Sequence, residues 1–274
     1  MLPIALGEAT KLAGRMLDSD KIYEFTVAFG TETDTLDLEG KVIATSDIRR
    51  TLAQVEAVLP MFTGPIEQVP PAYSALKVGG KRAYDLARAG QEVVLATRAV
   101  TVYSLQVSKN HSQPLHEGVK GSLPCTMTSL QPLLEGPGVA ASSVTLTAHV
   151  SKGTYIRSLA RDIARALGTV GHVTLLRRTK AGPFGLDQAI SLDFLFEKSK
   201  AHGLEDVCLP LTAGLDDIPA LPVTPDQAAF LRQGRALTGI AAHDGLHLAN
   251  DGETPVALVE VIAGHVRVVR GFNL

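Results

Sequence analysis

The sequence predicts an α+β protein in which strands and helices share one domain, with a small β-rich region near the C-terminal end. Between Lys21 and Gly30, apolar and polar residues alternate with the period of a half-buried strand. A second alternating run, Val144 to Val150, leads into a helical pattern from Ile156 to Leu167, which Gly168 ends. Between residues 256 and 270, two further runs of strand type follow one another.

Length and composition favour a soluble protein of two domains, or of one large domain with an appendage. A chain of 274 residues is long enough for two domains, and no apolar run approaches the roughly 18 residues of a membrane span. The first residues lack the basic-then-apolar pattern of a signal peptide. Cys125 and Cys208 lie far apart and have no Cys or His partners at metal-ligand spacing. We therefore expect a cytoplasmic protein without a disulfide, a metal site or a membrane segment.

Periodicity and punctuating residues predict the remaining elements. They are a helix at 7–18, a polar turn at 31–40, a strand at 41–45, an extended segment at 69–77, a helix at 82–89, a strand at 99–107, a strand at 172–179, a linker with a short helix at 187–209 and a helix at 224–233. Ser46 and Asp47 are expected to cap a helix that reaches about Pro60. Its apolar stripe comprises Ile48, Leu52, Val55 and Val58.

Charge is distributed unevenly along a chain whose net charge is only −2. Residues 151–181 carry seven Lys or Arg against one acid, and residues 70–100 carry five against two. From residue 201 to the end, nine acids face four arginines. Two basic segments fit a polyanion bound on one face of the protein. Solvated helix surfaces are the plainer explanation, but they account less well for cations clustered so densely.

The junction between the second strand and its helix concentrates chemically useful groups. Lys152, Gly153, Thr154, Tyr155 and Arg157 combine a cation, a flexible residue, a hydroxyl, a phenol and a guanidinium. A strand-to-helix turn presents free backbone N–H groups, so it suits anion binding. By itself the pattern fits a solvated surface loop equally well.

Five segments together resemble the TruB family, the bacterial tRNA pseudouridine(55) synthases. They occur in the family's order and cover roughly residues 1–191. The segments are Leu2-Pro-Ile-Ala-Leu-Gly-Glu-Ala-Thr-Lys11; Asp18-Ser-Asp-Lys-Ile-Tyr23 with Gly30-Thr-Glu-Thr-Asp-Thr35; Pro71-Ala-Tyr-Ser-Ala-Leu-Lys77 with Gly80, Tyr84, Ala87-Arg88 and Gly90; Ser151 to Arg157; and His172-Val-Thr-Leu-Leu-Arg-Arg178.

The resemblance implies a pseudouridine synthase fold with a mainly antiparallel central sheet around a cleft. It implies a domain at 1–200 with an RNA-gripping insertion at about 65–98 and a variable insertion at about 108–143. A small β-rich domain of the PUA type would follow at 211–274. The implied reaction is isomerisation of uridine in the T arm of tRNA by base flipping, without metal or organic cofactor, in a protein that we expect to be a monomer.

The resemblance also assigns roles to individual residues. Tyr23 matches the position that stacks on the flipped base, and Tyr155 and Leu176 match two other pocket positions. Arg157 matches the arginine that pairs with the nucleophilic aspartate. Such a guanidinium would keep the pKa of the aspartate low and fix its geometry. Without the family, strand spacing would favour Tyr23 as an ordinary core aromatic, and Leu176 would be plain core.

Cations of the two basic segments are then candidate contacts to RNA. In the insertion these are Lys77, Lys81 and Arg82, and Lys152 adds a further cation at the strand-to-helix turn. We expect Tyr73 and Tyr84 to pack the insertion rather than to stack on RNA.

The chain departs from the family pattern at the nucleophile. The family's aspartate lies in a Gly-x-Leu-Asp-Pro-x-Ala-Thr-Gly loop immediately before the Leu-Pro-Ile segment, and here that segment begins at Leu2. Asp34, Asp37 and Asp162 are the conspicuous aspartates nearby, but none occupies a matching position. We therefore expect an N-terminally truncated form that does not isomerise uridine, with Arg157 facing an empty position.

Two other functions remain open from the sequence. A catalytically inactive tRNA-binding module would keep both basic segments but need no nucleophile. A hydrolase has little support, because His149, His172 and His202 are not accompanied by a nucleophile-elbow motif.

Overall fold

The computed structural model describes residues 1–108 and 140–274, and the statements below concern those residues. The predicted variable insertion at about 108–143 lies largely outside them. The chain divides into two compact units. The first comprises Met1 with Ser19–Ala181, and the second comprises Leu2–Asp18 with Gly182–Leu274. The N-terminal helix, which the sequence placed with the first domain, therefore belongs to the second unit.

The described residues form fifteen strands and six α-helices. The helices are α1 (Ala13–Asp18), α2 (Leu52–Val58), α3 (Ala83–Arg88), α4 (Ile156–Ala166), α5 (Leu192–Lys200) and α6 (Pro225–Arg232). The strands are β1 (Lys21–Phe29), β2 (Thr31–Thr33), β3 (Val42–Thr45), β4 (Arg50–Thr51), β5 (Gly64–Gln68), β6 (Lys77–Val78), β7 (Lys81–Arg82), β8 (Arg98–Val107), β9 (Ala140–Ala141), β10 (Ser143–Val150), β11 (Gly171–Ala181), β12 (Ala220–Pro222), β13 (Gly245–Asp251), β14 (Thr254–Ile262) and β15 (His265–Gly271). Five 3-10 helices span Gly7–Leu12, Leu59–Phe62, Leu186–Gln188, Glu205–Val207 and Leu211–Gly214.

A five-stranded sheet in the order β11-β1-β10-β8-β5 forms the centre of the first unit. All of its neighbouring strands are antiparallel, which confirms the predicted sheet. Phe25 on β1 lies opposite Leu146 on β10 and Leu176 on β11. Because directly opposed residues share a face of the sheet, this register decides which side chains lie together.

Helix α4 covers the apolar face of this sheet. Ile156, Leu159 and Ile163 pack in one buried cluster with Phe25 and Leu146. Their spacing of three and four residues places them on a single stripe of the helix. Gly168 then ends the helical segment with φ of +70°, a conformation that favours glycine. The helix predicted at 156–167 is therefore confirmed.

The helix predicted from Ser46 and Asp47 begins later than expected. Thr51 caps α2 through a reciprocal pair of hydrogen bonds with Gln54, at 3.3 and 3.0 Å. Ile48, assigned to the apolar stripe, lies outside the helix and is 45% exposed. The tertiary structure holds the intervening chain extended, because β4 pairs with β9 and the Arg50 guanidinium donates to the Leu167 carbonyl at 2.6 Å.

Several short strands of the first unit escaped prediction, among them β5 and β2. Strand β5 forms an edge of the sheet against β8, and Pro65 fits there because an edge strand leaves one side of its backbone unpaired. Strand β2 pairs with β3 inside the segment that was predicted as a polar turn. Both strands are short, so their periodicity is too weak to read from sequence.

The second unit contains a four-stranded sheet in the order β12-β13-β14-β15. Helix α6 packs on it through Ala228 and Leu231, and Thr224 caps that helix as its sequence predicts. A separate cluster joins Leu12 of the N-terminal segment to Phe272 near the C-terminus. The two predicted strands are confirmed as β14 and β15, and β12 and β13 were missed. No helix among the described residues is long and apolar enough to cross a membrane.

Replacing Leu146 by alanine should destabilise the first unit by about 2–5 kcal/mol, because Leu146 is fully buried and its loss leaves a cavity. Leu38→Ala is the matched control: Leu38 is 66% exposed, so its loss should cost less than about 0.5 kcal/mol. Urea unfolding followed by tyrosine fluorescence measures both, since all five tyrosines lie in the first unit and the chain has no tryptophan. Equal losses would contradict the assignment of the core.

Candidate active site

Arg157, in the first turn of α4, is bound to three groups from distant parts of the chain. One terminal nitrogen, Nη1, donates to the Thr35 carbonyl at 2.9 Å and to Asp37 Oδ2 at 2.8 Å. The other, Nη2, donates to the Tyr73 carbonyl at 2.9 Å. The guanidinium thus joins α4 to the loop after β2 and to the start of the predicted RNA-gripping insertion.

The expectation that Arg157 faces an empty position is wrong, because Asp37 is its partner. Asp37 is itself held in place: its Oδ1 accepts from the Thr35 hydroxyl at 2.5 Å and from the Glu39 amide at 3.1 Å. About a quarter of each side chain of the ion pair is exposed, so the pair is neither fully buried nor freely solvated.

The backbone around Asp37 explains why sequence reasoning missed this pair. Leu36 has φ of +62° and is 5% exposed, and its carbonyl accepts from the Val173 amide at 3.0 Å on β11. The turn is therefore pinned against a strand more than 130 residues further along the chain. The only signal in the sequence is a polar turn rich in Asp and Thr, which is typical of many surface loops.

A second set of bonds closes the same turn. Asp34 accepts from the Lys41 amide at 2.8 Å and from the Tyr73 hydroxyl at 3.3 Å. Burial of the phenol, followed by the negative charge of Asp34, raises the pKa of Tyr73 above its ordinary value. Gly40 allows the turn to close, because a Cβ there would lie 2.8 Å from the Thr35 backbone nitrogen.

Gln68, at the end of β5, fixes the backbone of Tyr155 and was not anticipated from the sequence. Its side-chain oxygen accepts from the Tyr155 amide at 3.0 Å, and its side-chain nitrogen donates to the Tyr155 carbonyl at 3.3 Å. Gln68 is 1% exposed. Because buried Gln68 bonds both the amide and the carbonyl of Tyr155, it fixes the backbone position of Tyr155 at the start of α4.

Tyr23 and Leu176 lie on the face of the sheet that α4 covers. Tyr23 is partly buried against the core cluster to which α4 contributes. Leu176, opposite Phe25, is 49% exposed, so it is not the core residue that strand spacing alone suggested. The structure thus places Tyr23 and Leu176 on the same side of the sheet as α4, whose start carries Tyr155 and Arg157.

The predicted phosphate contacts of the insertion lie on a hairpin formed by β6 and β7. Lys77, Lys81 and Arg82 are all exposed there. Arg82 donates to the Tyr84 hydroxyl at 3.0 Å, which raises the pKa of the guanidinium. Arg82 and Arg88 both approach the Tyr84 ring, at 5.8 and 5.6 Å from its centre. Two cations of the insertion, Arg82 and Arg88, therefore lie against one aromatic ring.

Lys152 is exposed in the turn between β10 and α4. Gly153 follows it with φ of +81°, and the Thr154 hydroxyl donates to the Ser151 carbonyl at 2.9 Å. The turn is therefore closed by its own residues and presents the lysine outward.

Two histidines that the sequence left open have structural partners. His149 pairs with Asp20 and contacts the Tyr103 ring, with ring centres 4.8 Å apart and the ring planes tilted by 47°. His172 Nδ1 contacts the Thr31 carbonyl at 2.8 Å. Within 1–108 and 140–274, no group of three or more His, Cys, Asp or Glu is arranged to hold a metal ion.

Two family models match the chain. The model of the TruB family pseudouridylate synthase N-terminal domain matches residues 1–156, and that of the tRNA pseudouridylate synthase B C-terminal domain matches residues 157–216. The chain belongs to the TruB family. It is thus a member of a family of isomerases, and the resemblance seen in its motifs is confirmed.

Curated relatives resemble the chain along its whole length. The tRNA pseudouridine synthase B of Novosphingobium aromaticivorans is 59% identical over 274 residues, which span 100% of this chain and 82% of the relative. The enzyme of the same name from Zymomonas mobilis is 52% identical over 273 residues, spanning 100% and 80%. That of Caulobacter vibrioides is 44% identical over 285 residues, spanning 100% and 83%.

Solved structures share the fold at low identity. The chain resembles one in a Cbf5-Nop10-Gar1 complex with a TM-score of 0.62 and 22% identity, over 100% of this chain and 71% of that one. It resembles another in an H/ACA RNP bound to a substrate RNA containing 2'-deoxyuridine, with a TM-score of 0.63 and 20% identity, over 98% and 71%. These likenesses confirm the pseudouridine synthase fold.

The Arg157–Asp37 pair should contribute measurably to the stability of the first unit. We expect Asp37→Ala to lower the free energy of unfolding by about 1–3 kcal/mol, because it leaves a partly buried guanidinium without its charged partner. Arg157→Ala and the double variant complete a cycle that should show a coupling of about 0.5–3 kcal/mol. Tyrosine fluorescence during urea unfolding measures all four proteins, and additive losses would contradict the pairing.

Proposed function

We propose that the protein is a tRNA pseudouridine synthase that isomerises uridine in the T arm. The family membership and the names of relatives 44–59% identical over the whole chain support this assignment. The observation that carries it is that Tyr23 and Leu176 lie on the face of the sheet covered by α4. The start of that helix holds the Arg157 guanidinium, which the Asp37 carboxylate orients.

The reaction rearranges one nucleoside and consumes no co-substrate. The bond between N1 of uracil and C1′ of the ribose breaks, and a bond between C5 and C1′ forms. C5 loses a proton and N1 gains one, so the product is an isomer of the substrate. A base that reacts on both of these atoms has to leave its stack and turn within a pocket, which is the purpose of base flipping.

In this proposal Tyr23 stacks on the flipped uracil, and Tyr155 and Leu176 bound the pocket. A half-exposed leucine on a strand is suited to cover a base when one enters. Gln68 fixes the backbone of Tyr155. Arg157 orients the reacting carboxylate, and Asp37 is a positioning residue that holds the guanidinium.

The nucleophile itself is the part of the site that these 274 residues do not supply. They contain no Gly-x-Leu-Asp-Pro-x-Ala-Thr-Gly motif. Asp37 is a poor substitute, because one of its oxygens binds Arg157 and the other accepts two hydrogen bonds. We propose that the isomerisation needs an aspartate from outside these 274 residues, which by themselves bind tRNA without isomerising uridine.

Phosphates of the T arm bind to the cations of the insertion and of the turn before α4. The residues we propose are Lys77, Lys81, Arg82 and Lys152, all of which are exposed. The protein would act as a monomer in the cytoplasm, where its substrate is found, and would need no metal or organic cofactor.

Incubation of the chain with unmodified tRNA should yield no pseudouridine beyond background, measured by mass spectrometry of digested RNA. The Novosphingobium aromaticivorans relative, assayed in parallel, should modify the same tRNA and so shows that the assay works. Turnover by the 274-residue chain at the rate of that relative would contradict the need for an aspartate loop outside these residues.

Binding of tRNA should persist and depend on salt. We expect the double variant Lys77→Gln/Lys81→Gln to weaken binding and to reduce the slope of log K against log salt by about 1–2. Lys41→Gln, an exposed lysine outside the insertion, is the control and should leave the slope unchanged. Fluorescence anisotropy with labelled tRNA measures both. Binding that is insensitive to salt would argue against a nucleic-acid-binding surface.

A further inference from the structure

Arg178 stands beside Tyr23 at the edge of the central sheet. In the pairing of β1 with β11, Tyr23 lies opposite Arg178, next to the pair formed by Phe25 and Leu176. Leu176 and Arg178 are two residues apart on one strand, so their side chains leave the same face. The Arg178 guanidinium carbon lies 5.8 Å from the centre of the Tyr23 ring.

No carboxylate neutralises this guanidinium within the described parts of the chain. Its Nε atom is buried, and no hydrogen-bond acceptor meets it there. Arg157 and Arg165, by contrast, each hold a carboxylate at 2.8 and 2.9 Å. A buried donor without an acceptor is unfavourable, and buried polar groups in native proteins nearly always find a partner.

An anion is therefore the species that this corner of the sheet lacks. The flipped nucleotide of the proposed reaction brings one, because its ribose carries a phosphate on either side.

We propose that Arg178 binds a phosphate next to the uridine whose base stacks on Tyr23. The guanidinium offers several donors in a fixed plane, which suits two phosphate oxygens at once. It would fix the backbone of the nucleotide while the base turns between Tyr23 and Leu176. This assignment rests on the proposed function and adds to it a phosphate contact within the pocket, separate from those of the insertion.

Arg177 offers a matched control. It carries the same charge one residue away, but it lies opposite Glu24 and points to the other face of the sheet. Arg177→Gln and Arg178→Gln therefore remove the same charge from almost the same place. Only Arg178→Gln removes a donor on the pocket face.

The first measurement is binding of the 274-residue chain to a labelled T-arm stem-loop by fluorescence anisotropy. Arg178→Gln should weaken binding about 10-fold, and Arg177→Gln less than about 2-fold. Arg178→Lys keeps the charge but not the planar set of donors, so its loss of affinity should lie between those of the two other variants. Urea unfolding followed by tyrosine fluorescence establishes that each variant is folded under the assay conditions.

The second measurement locates the contact. Two stem-loops carry a single neutral methylphosphonate, either immediately 5′ or immediately 3′ of the target uridine. With one of them the unsubstituted chain should lose about 10-fold in affinity, while Arg178→Gln should lose almost nothing further. A merely structural role of Arg178 predicts that the two losses multiply with both RNAs.

The outcomes separate the two proposals. If the unsubstituted chain does not bind the stem-loop, the proposed function and this inference both fail. If it binds, but Arg178→Gln behaves like Arg177→Gln or its effect multiplies with that of each methylphosphonate, the inference alone is overturned.

Discussion

The site depends on the hydrogen bonds that the Arg157 guanidinium makes. Its three hydrogen bonds reach the Thr35 carbonyl, the Asp37 carboxylate and the Tyr73 carbonyl. These groups belong to the loop after β2 and to the start of the insertion, while Arg157 belongs to α4. A planar cation with fixed donor directions holds the loop, the insertion and α4 in one relative position, which an apolar contact would not do. The placement of the insertion relative to α4 follows from these bonds, while Gln68 fixes the backbone of Tyr155.

The central sheet provides the complementary constraint. Side chains along β1 and β11 alternate between the two faces of this antiparallel sheet. One face carries Tyr23, Leu176 and Arg178 beside the apolar core under α4. The other carries Glu24 opposite Arg177. A single strand thus separates two adjacent arginines into two environments, one facing an aromatic ring and the other facing a carboxylate.

Much of this architecture could be predicted from local patterns. Strands β1 and β10 alternate cleanly, and α4 has apolar residues at helical spacing with a glycine at its end, so each element follows from its own residues. Helix α2 could not be placed in the same way. Its capping box at Thr51 and Gln54 competes in sequence with Ser46 and Asp47, and only the pairing of β4 with β9 decides between them.

By itself the sequence determined most of the elements and the family, because these depend on periodicity and on motifs of adjacent residues. Only the tertiary structure decided the partners: Asp37 for Arg157, Gln68 for the backbone of Tyr155, and Tyr23 for Arg178. Each of these contacts joins residues more than 80 positions apart. Hydrogen bonds and ion pairs act over a few ångströms in space, and no local pattern records which distant groups the fold brings within that range.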